Sequence, residues 1–98
     1  MEKVYYLITE EGRISFEFDE TKSRGNKAKH GIDFVEAMQL WADADRAETP
    51  ARSDQEERFM VAGRIDGRCW SAFVTRRGDR FRLISVRRSR EPEVRGNG

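Results

Sequence analysis

The run Phe16-Glu17-Phe18-Asp19-Glu20-Thr21-Lys22-Ser23-Arg24-Gly25-Asn26-Lys27-Ala28-Lys29-His30-Gly31-Ile32-Asp33-Phe34 reads as the end of a strand, a polar helix and the start of a second helix. Asp19 has the chemistry of an N-cap: its carboxylate accepts from the free amides of a first turn and suits the positive end of the helix dipole. Gly31 is a natural stop, because glycine enters the left-handed conformation that ends many helices without steric cost. These two residues predict a helix of about three turns over residues 20–30. At about 100° per residue, Thr21, Gly25 and Ala28 share one face, and Lys22, Asn26, Lys29 and His30 share the opposite one. An apolar stripe is missing, so either close packing through the small face secures the helix or it forms weakly. In both cases the basic face is left free for an anion.

Downstream, Asp33 and Glu36 have the spacing of a capping box. Phe34, Ala37, Met38 and Trp41 follow at i, i+3, i+4 and i+7, which predicts a second helix packing one face on a sheet. Upstream, Val4–Thr9 and Arg13–Phe18 alternate like two short strands around Glu10-Glu11-Gly12, with Ile14, Phe16 and Phe18 on one side. Residues 42–57 show no period and carry Pro50 among acids and small residues. They predict a long acidic loop with a short edge strand, serving either as a docking surface for a basic segment or as a solvated linker.

From Arg58 onward the pattern is a meander. Strands are expected at Arg58–Ile65, Arg68–Thr75 and Arg80–Arg88, joined by a two-residue Asp66-Gly67 turn and a four-residue Arg76–Asp79 turn. That register turns Phe59, Val61, Ile65, Trp70, Ala72, Val74, Phe81 and Leu83 toward the core. It turns Arg64, Cys69, Ser71, Phe73, Thr75, Arg80, Arg82, Ile84, Val86 and Arg88 the other way. A bulge would exchange neighbours, so Ser85 and Arg87 are reserve candidates. The expected fold is α+β: one antiparallel sheet with two helices packed on one face.

Ninety-eight residues make a single domain. The formal charge of +1 hides a strong segregation. Residues 33–57 hold eight acids against Arg46 and Arg52, whereas residues 58–90 hold ten arginines against Asp66 and Asp79. The second block is either a positive field for phosphates or a set of solvated strand edges. With one cysteine (Cys69) and one histidine, neither a disulfide framework nor a thiol-based zinc site is expected. Cys69 reads as a small buried residue, and Trp41 and Phe73 as core before base-stacking platforms. No run approaches a membrane span or a signal peptide, which predicts a cytoplasmic protein.

The Phe-Glu-Phe-Asp segment followed by Lys22, Asn26, Lys29-His30-Gly31, Asp33-Phe34 and Ala37 resembles the opening of the BrnT toxins of bacterial toxin–antitoxin pairs. Glu57-Arg58-Phe59, Gly63-Arg64 and Arg82-Leu83-Ile84-Ser85-Val86-Arg87-Arg88 extend the likeness. It covers about residues 14–90, leaving 1–13 as an N-terminal extension, expected as a strand, and 91–98 as a flexible tail. The resemblance implies a RelE-like fold and a ribonuclease toxin that inhibits translation. It also implies a cognate antitoxin with a DNA-binding ribbon-helix-helix half, in a higher-order repressor complex.

Metal-free RNA cleavage through the 2′-hydroxyl needs a base for that hydroxyl, cations for the phosphate and an acid for the departing 5′ oxygen. His30, with an ordinary pKa of about 6.5, suits proton transfer, and arginine forks suit phosphate charge. His30, Arg64 and Arg82 are therefore the candidate catalytic residues, with no cofactor or metal. Lys22, Asn26, Lys29, Arg80, Arg87 and Arg88 are the candidate RNA-binding residues. Bland roles compete: His30 bonding to the last carbonyls of its helix, and Arg64 and Arg82 pairing with Glu17 or Asp19. Either acid is also a possible base if burial raised its pKa. The rival function is a non-catalytic RNA-binding or antitoxin-docking module with the same basic face.

Overall fold

The structure, a computed structural model, describes residues 2–51 and 57–90. Arg52, the loop acids Asp54 and Glu56 and the expected tail at 91–98 lie outside the described residues. The elements are β1 (Glu2–Thr9), β2 (Gly12–Asp19), α1 (Glu20–His30), α2 (Phe34–Ala37), a 3-10 segment (Met38–Ala42), β3 (Ala47–Ala51), β4 (Arg58–Ile65), β5 (Arg68–Arg77) and β6 (Arg80–Arg88). The strands form one sheet in the order β1-β2-β6-β5-β4-β3. All neighbours pair antiparallel except β2 and β6, which run parallel with Ser15, Phe16 and Glu17 opposite Arg80, Phe81 and Arg82. The fold is α+β as expected, but the sheet is mixed. Short hairpins make antiparallel pairs, whereas β2 and β6 meet across a long crossover that returns the chain in the same direction.

Both ends of β5 are tight turns. Asp66 and Gly67 have φ of 51° and 80°, the left-handed pair that suits a two-residue hairpin. At the other end the loop is Gly78-Asp79, two residues shorter than expected, and Arg77 pairs with Arg80. A shift of two keeps every side chain on its expected face up to a bulge opposite Phe73/Val74, where Val74 faces Leu83 but Phe73 faces Ser85. The extra residue inverts the remainder of β6. Val86, expected on the basic face, is fully buried in the core. Arg88 crosses to the helix side with its guanidinium 5.5 Å from the Trp70 ring centroid, while Arg87 stands on the open face over Phe73.

The core joins Phe16, Phe18, Val61, Ala72, Val74, Leu83 and Val86 of the sheet to Phe34, Ala37, Met38, Leu40 and Trp41. Edge contacts hold the aromatics, with ring centroids 4.8 Å apart for Phe16–Trp41 and 5.4 Å for Phe18–Phe34. Asp33 and Glu36 make the expected capping box. After one α turn the second helix tightens to 3-10 winding, which at about three residues per turn aligns Leu40 with Ala37 and buries it. Cys69, expected buried, is half-exposed, and β3 is the edge strand anticipated in the acidic loop.

Helix α1 has the expected limits, Asp19 capping it and Gly31 ending it at φ 83°. Its packing departs from the expectation: Lys22 and Lys29 stay exposed, but the small face does not pack and Asn26 turns inward. Thr21, Gly25 and Ala28 are exposed, and Ser23 and Asn26 are buried. Polar side chains, not small ones, moor the helix: Ser23 Oγ accepts from Phe34 N at 2.9 Å, and Asn26 is bonded to β6. Asn26 Oδ1 accepts from Val86 N at 3.1 Å, and Nδ2 donates to Val86 O at 2.9 Å and to Ile32 O at 2.8 Å. Past the last β2–β6 pair, this carboxamide completes β6 as a neighbouring peptide group would.

Candidate functional site

Along β2, Phe16 and Phe18 turn into the core, so the intervening Glu17 points to the opposite, helix-free face. The parallel pairing then sets it beside Arg82. Alternation in β6 brings Arg80 to the same face, and the Arg77–Arg80 pair across the Gly78-Asp79 turn adds Arg77. Arg82 Nη1 donates to Glu17 Oε2 at 3.0 Å. Arg77 Nη1 lies 3.9 Å from Oε2, and Arg80 Nη1 lies 3.8 Å from Oε1. The Glu17 carboxylate is 9% exposed and the Arg82 side chain 17%, against 44% for Arg80 and 56% for Arg77.

One buried carboxylate thus faces three guanidinium groups among the described residues, of which Arg80 and Arg77 meet solvent. Such an arrangement binds a phosphate through arginine forks and places a proton acceptor beside it. Arg82 Nη1 bonds Oε2, and Oε1 is the oxygen that faces Arg80.

The three expected catalytic residues are not brought together. Arg64 pairs with Cys69 and Arg82 with Thr75, six residues along β5. At about 3.3 Å per residue the two arginines stand about 20 Å apart along the sheet, too far to close on one phosphate. Arg64 instead sits in a cleft with Gln39, Asp43 and Asp66, where its backbone amide donates to Asp43 Oδ2 at 2.8 Å. His30 ends α1 one turn beyond Asn26, and its neighbours Gly31 and Ile32 line a cleft with Asp66, Arg68 and Trp70. It therefore belongs to the Asp66-Gly67 end of the sheet, whereas Glu17 and Arg82 belong to the Gly78-Asp79 end.

Of the expected RNA-binding residues, Arg80 joins the cluster. Lys22 and Lys29 are exposed on the rim of α1, and Arg87 and Arg88 lie on opposite faces of β6. Asn26, buried and bonded three times, is a structural residue and not an exposed contact for RNA. Asp19 is committed as well: its carboxylate caps α1, accepting from the Lys22 and Thr21 amides, which hold it below the usual range. Arg77 was not among the expected residues, because the spacing of the meander places it in a turn.

Among the described residues, no three His, Cys, Asp or Glu side chains converge as a metal site requires, and no helix is long and apolar enough to cross a membrane. The model of a family described as ribonuclease toxin, BrnT, of type II toxin-antitoxin system matches residues 18–93. Comparison with curated proteins finds no match.

Proposed function

Since the chain belongs to the BrnT family of ribonuclease toxins of type II toxin–antitoxin systems, we propose that it is an endoribonuclease whose reaction takes place at the Glu17–Arg82 cluster. The observation that carries the assignment is the burial of one carboxylate among Arg77, Arg80 and Arg82. Glu17 Oε1 takes the proton of the substrate 2′-hydroxyl, and the 2′-oxygen attacks phosphorus. The three guanidinium groups take up the growing phosphate charge. The bond to the 5′ oxygen then breaks, and that oxygen takes a proton from solvent, leaving a 2′,3′-cyclic phosphate and a 5′-hydroxyl. No metal is needed for these steps.

The same reading assigns the fold to the RelE-like group, supported by helices that precede an arginine-rich meander. It makes the cytoplasmic outcome an arrest of translation, relieved by an antitoxin whose ribbon-helix-helix half binds DNA. The exposed arginines would receive an acidic segment of that antitoxin.

Incubation of the purified chain with a long single-stranded RNA in excess EDTA tests this. Discrete fragments ending in 2′,3′-cyclic phosphate, lost in Glu17→Gln and Arg82→Ala, are expected. Intact RNA that is nonetheless retarded in a gel would replace the enzyme by a binding module.

A further inference from the structure

Beside the cluster, the same face carries an exposed aromatic ring. Strand β1 pairs with β2 so that Tyr6 lies opposite Ser15 and Val4 opposite Glu17, and on its other side Ser15 lies opposite Arg80. Tyr6 and Arg80 therefore flank one residue, two strand spacings or about 10 Å apart, with Glu17 on the adjacent diagonal.

The two tyrosines of β1 have different fates. Tyr5, on the helix side, stacks on Phe18 with centroids 4.6 Å apart and donates to Glu20. Tyr6 is 53% exposed. Its one described ring partner is Arg13, whose guanidinium carbon lies 4.6 Å from the centroid and covers one side of the ring. Core packing does not account for such a ring, and β1 lies outside the residues matched by the family.

We propose that Tyr6, backed by Arg13, is a stacking platform for the nucleobase next to the phosphate held at the Glu17–Arg82 cluster. The inference rests on the reading of that cluster as the phosphate site. An aromatic face within about one nucleotide of arginines is the arrangement by which proteins hold single-stranded RNA, and stacking tolerates any base. The arginines fix the backbone and Tyr6 fixes the neighbouring base, so the ring sets which register of the strand is presented to Glu17. The exposed apolar side chains Val4 and Ile8 beside it would equally suit a protein surface, but the surrounding charge is cationic and Glu17, the acid of the cluster, is buried.

The test uses short RNA-like oligonucleotides with 2-aminopurine at each position in turn, made uncleavable by 2′-O-methyl substitution at every position, the probe nucleotide included. Fluorescence is followed on titration with the wild type, Tyr6→Trp and Tyr6→Leu. Quenching in at least one register by the wild type and Tyr6→Trp is expected, with Tyr6→Leu losing the quench and binding roughly tenfold more weakly. Equal quenching and affinity in Tyr6→Leu would overturn the proposal, as would no quenching by the wild type in any register. So would a Tyr6→Leu protein that handles RNA normally but no longer binds its antitoxin. Circular dichroism shows whether the variants are folded, and the exposed position predicts that they are. A Tyr6-dependent quench in a chain that cleaves no RNA would uphold the platform and remove the ribonuclease assignment. Cleavage with unchanged sites and KM in Tyr6→Leu would do the reverse.

Discussion

The carboxylate of Glu17 and the guanidinium of Arg82 meet at 3.0 Å across 65 positions of sequence. They do so because β2 and β6 run parallel and in a register that opposes them. If this pair is the reacting centre, Glu17→Gln keeps the shape and removes the base. Cleavage should fall by about 10²- to 10⁴-fold, the usual contribution of general acid–base catalysis. His30→Ala, at the other end of the sheet, should stay within a few-fold of the wild type. Initial rates on a single RNA check both, and a complete loss in His30→Ala with full activity in Glu17→Gln would sink the assignment.

Arg77 and Arg80 should reveal themselves through salt. Each phosphate contact on a single strand contributes about −0.7 to the slope of log K against log salt. Arg77→Ala and Arg80→Ala should each flatten that slope by about this amount, whereas Arg64→Ala should leave cleavage nearly unchanged. A gel-shift series over several salt concentrations measures it.

Asn26 carries a stability prediction. Its replacement by Ala strands Val86 N–H, Val86 C=O and Ile32 C=O in a buried place. With unsatisfied buried groups costing about 1–3 kcal/mol each, a loss of roughly 3 kcal/mol or more is expected. Urea unfolding reads it directly. Unchanged stability together with weaker RNA binding would restore the residue to the RNA-contact role.

Stability should be flat across neutral pH and fall on both sides. Hydrogen bonds lower the pKa of three carboxyls: Asp19 through the Lys22 and Thr21 amides, Glu20 chiefly through Tyr5, and Glu36 chiefly through Lys27. A lowered folded pKa contributes stability above the unfolded value, about 4, and that contribution is lost as pH falls through the folded value. Tyr5 is raised by its bond to Glu20, and Lys27 by its bond to Glu36. Those contributions are full below the ordinary values near 10 and vanish as pH rises through the raised ones. Urea midpoints at several pH values should show a plateau with an acid and an alkaline limb, and Glu36→Gln should shorten the acid one.

Local chemistry was legible in the sequence, and long-range pairing was not. The caps at Asp19 and Gly31, the capping box of Asp33 and Glu36, and the Asp66-Gly67 turn depend on residues within a few positions of one another, so their side chains announce them. The core face of the meander followed from alternation as far as Leu83. Beyond it the bulge at Ile84 moved Val86 inward, and no residue type signals a bulge. The polar face of α1 misled because Asn26 looks the same whether it awaits a ligand or replaces a strand. Arg82 was found by residue type and Glu17 was named beside Asp19 as a partner for it, but the choice between the two acids and the neighbour Arg77 required the parallel β2–β6 register. Two strands so far apart in the chain leave no local trace of their pairing.

The split origin of the cluster has a consequence for synthesis. Glu17 is made early, and Arg77, Arg80 and Arg82 come with the last strands described. A chain interrupted before β6 lacks the cations of that strand, and it also lacks Leu83 and Val86, without which the core stays open. On the proposed assignment, copies that stop before β6 should be inactive as well as incompletely folded. The cluster and the sheet are completed in the same event, so under the proposed assignment no cleavage is expected from a nascent chain before β6 has left the ribosome.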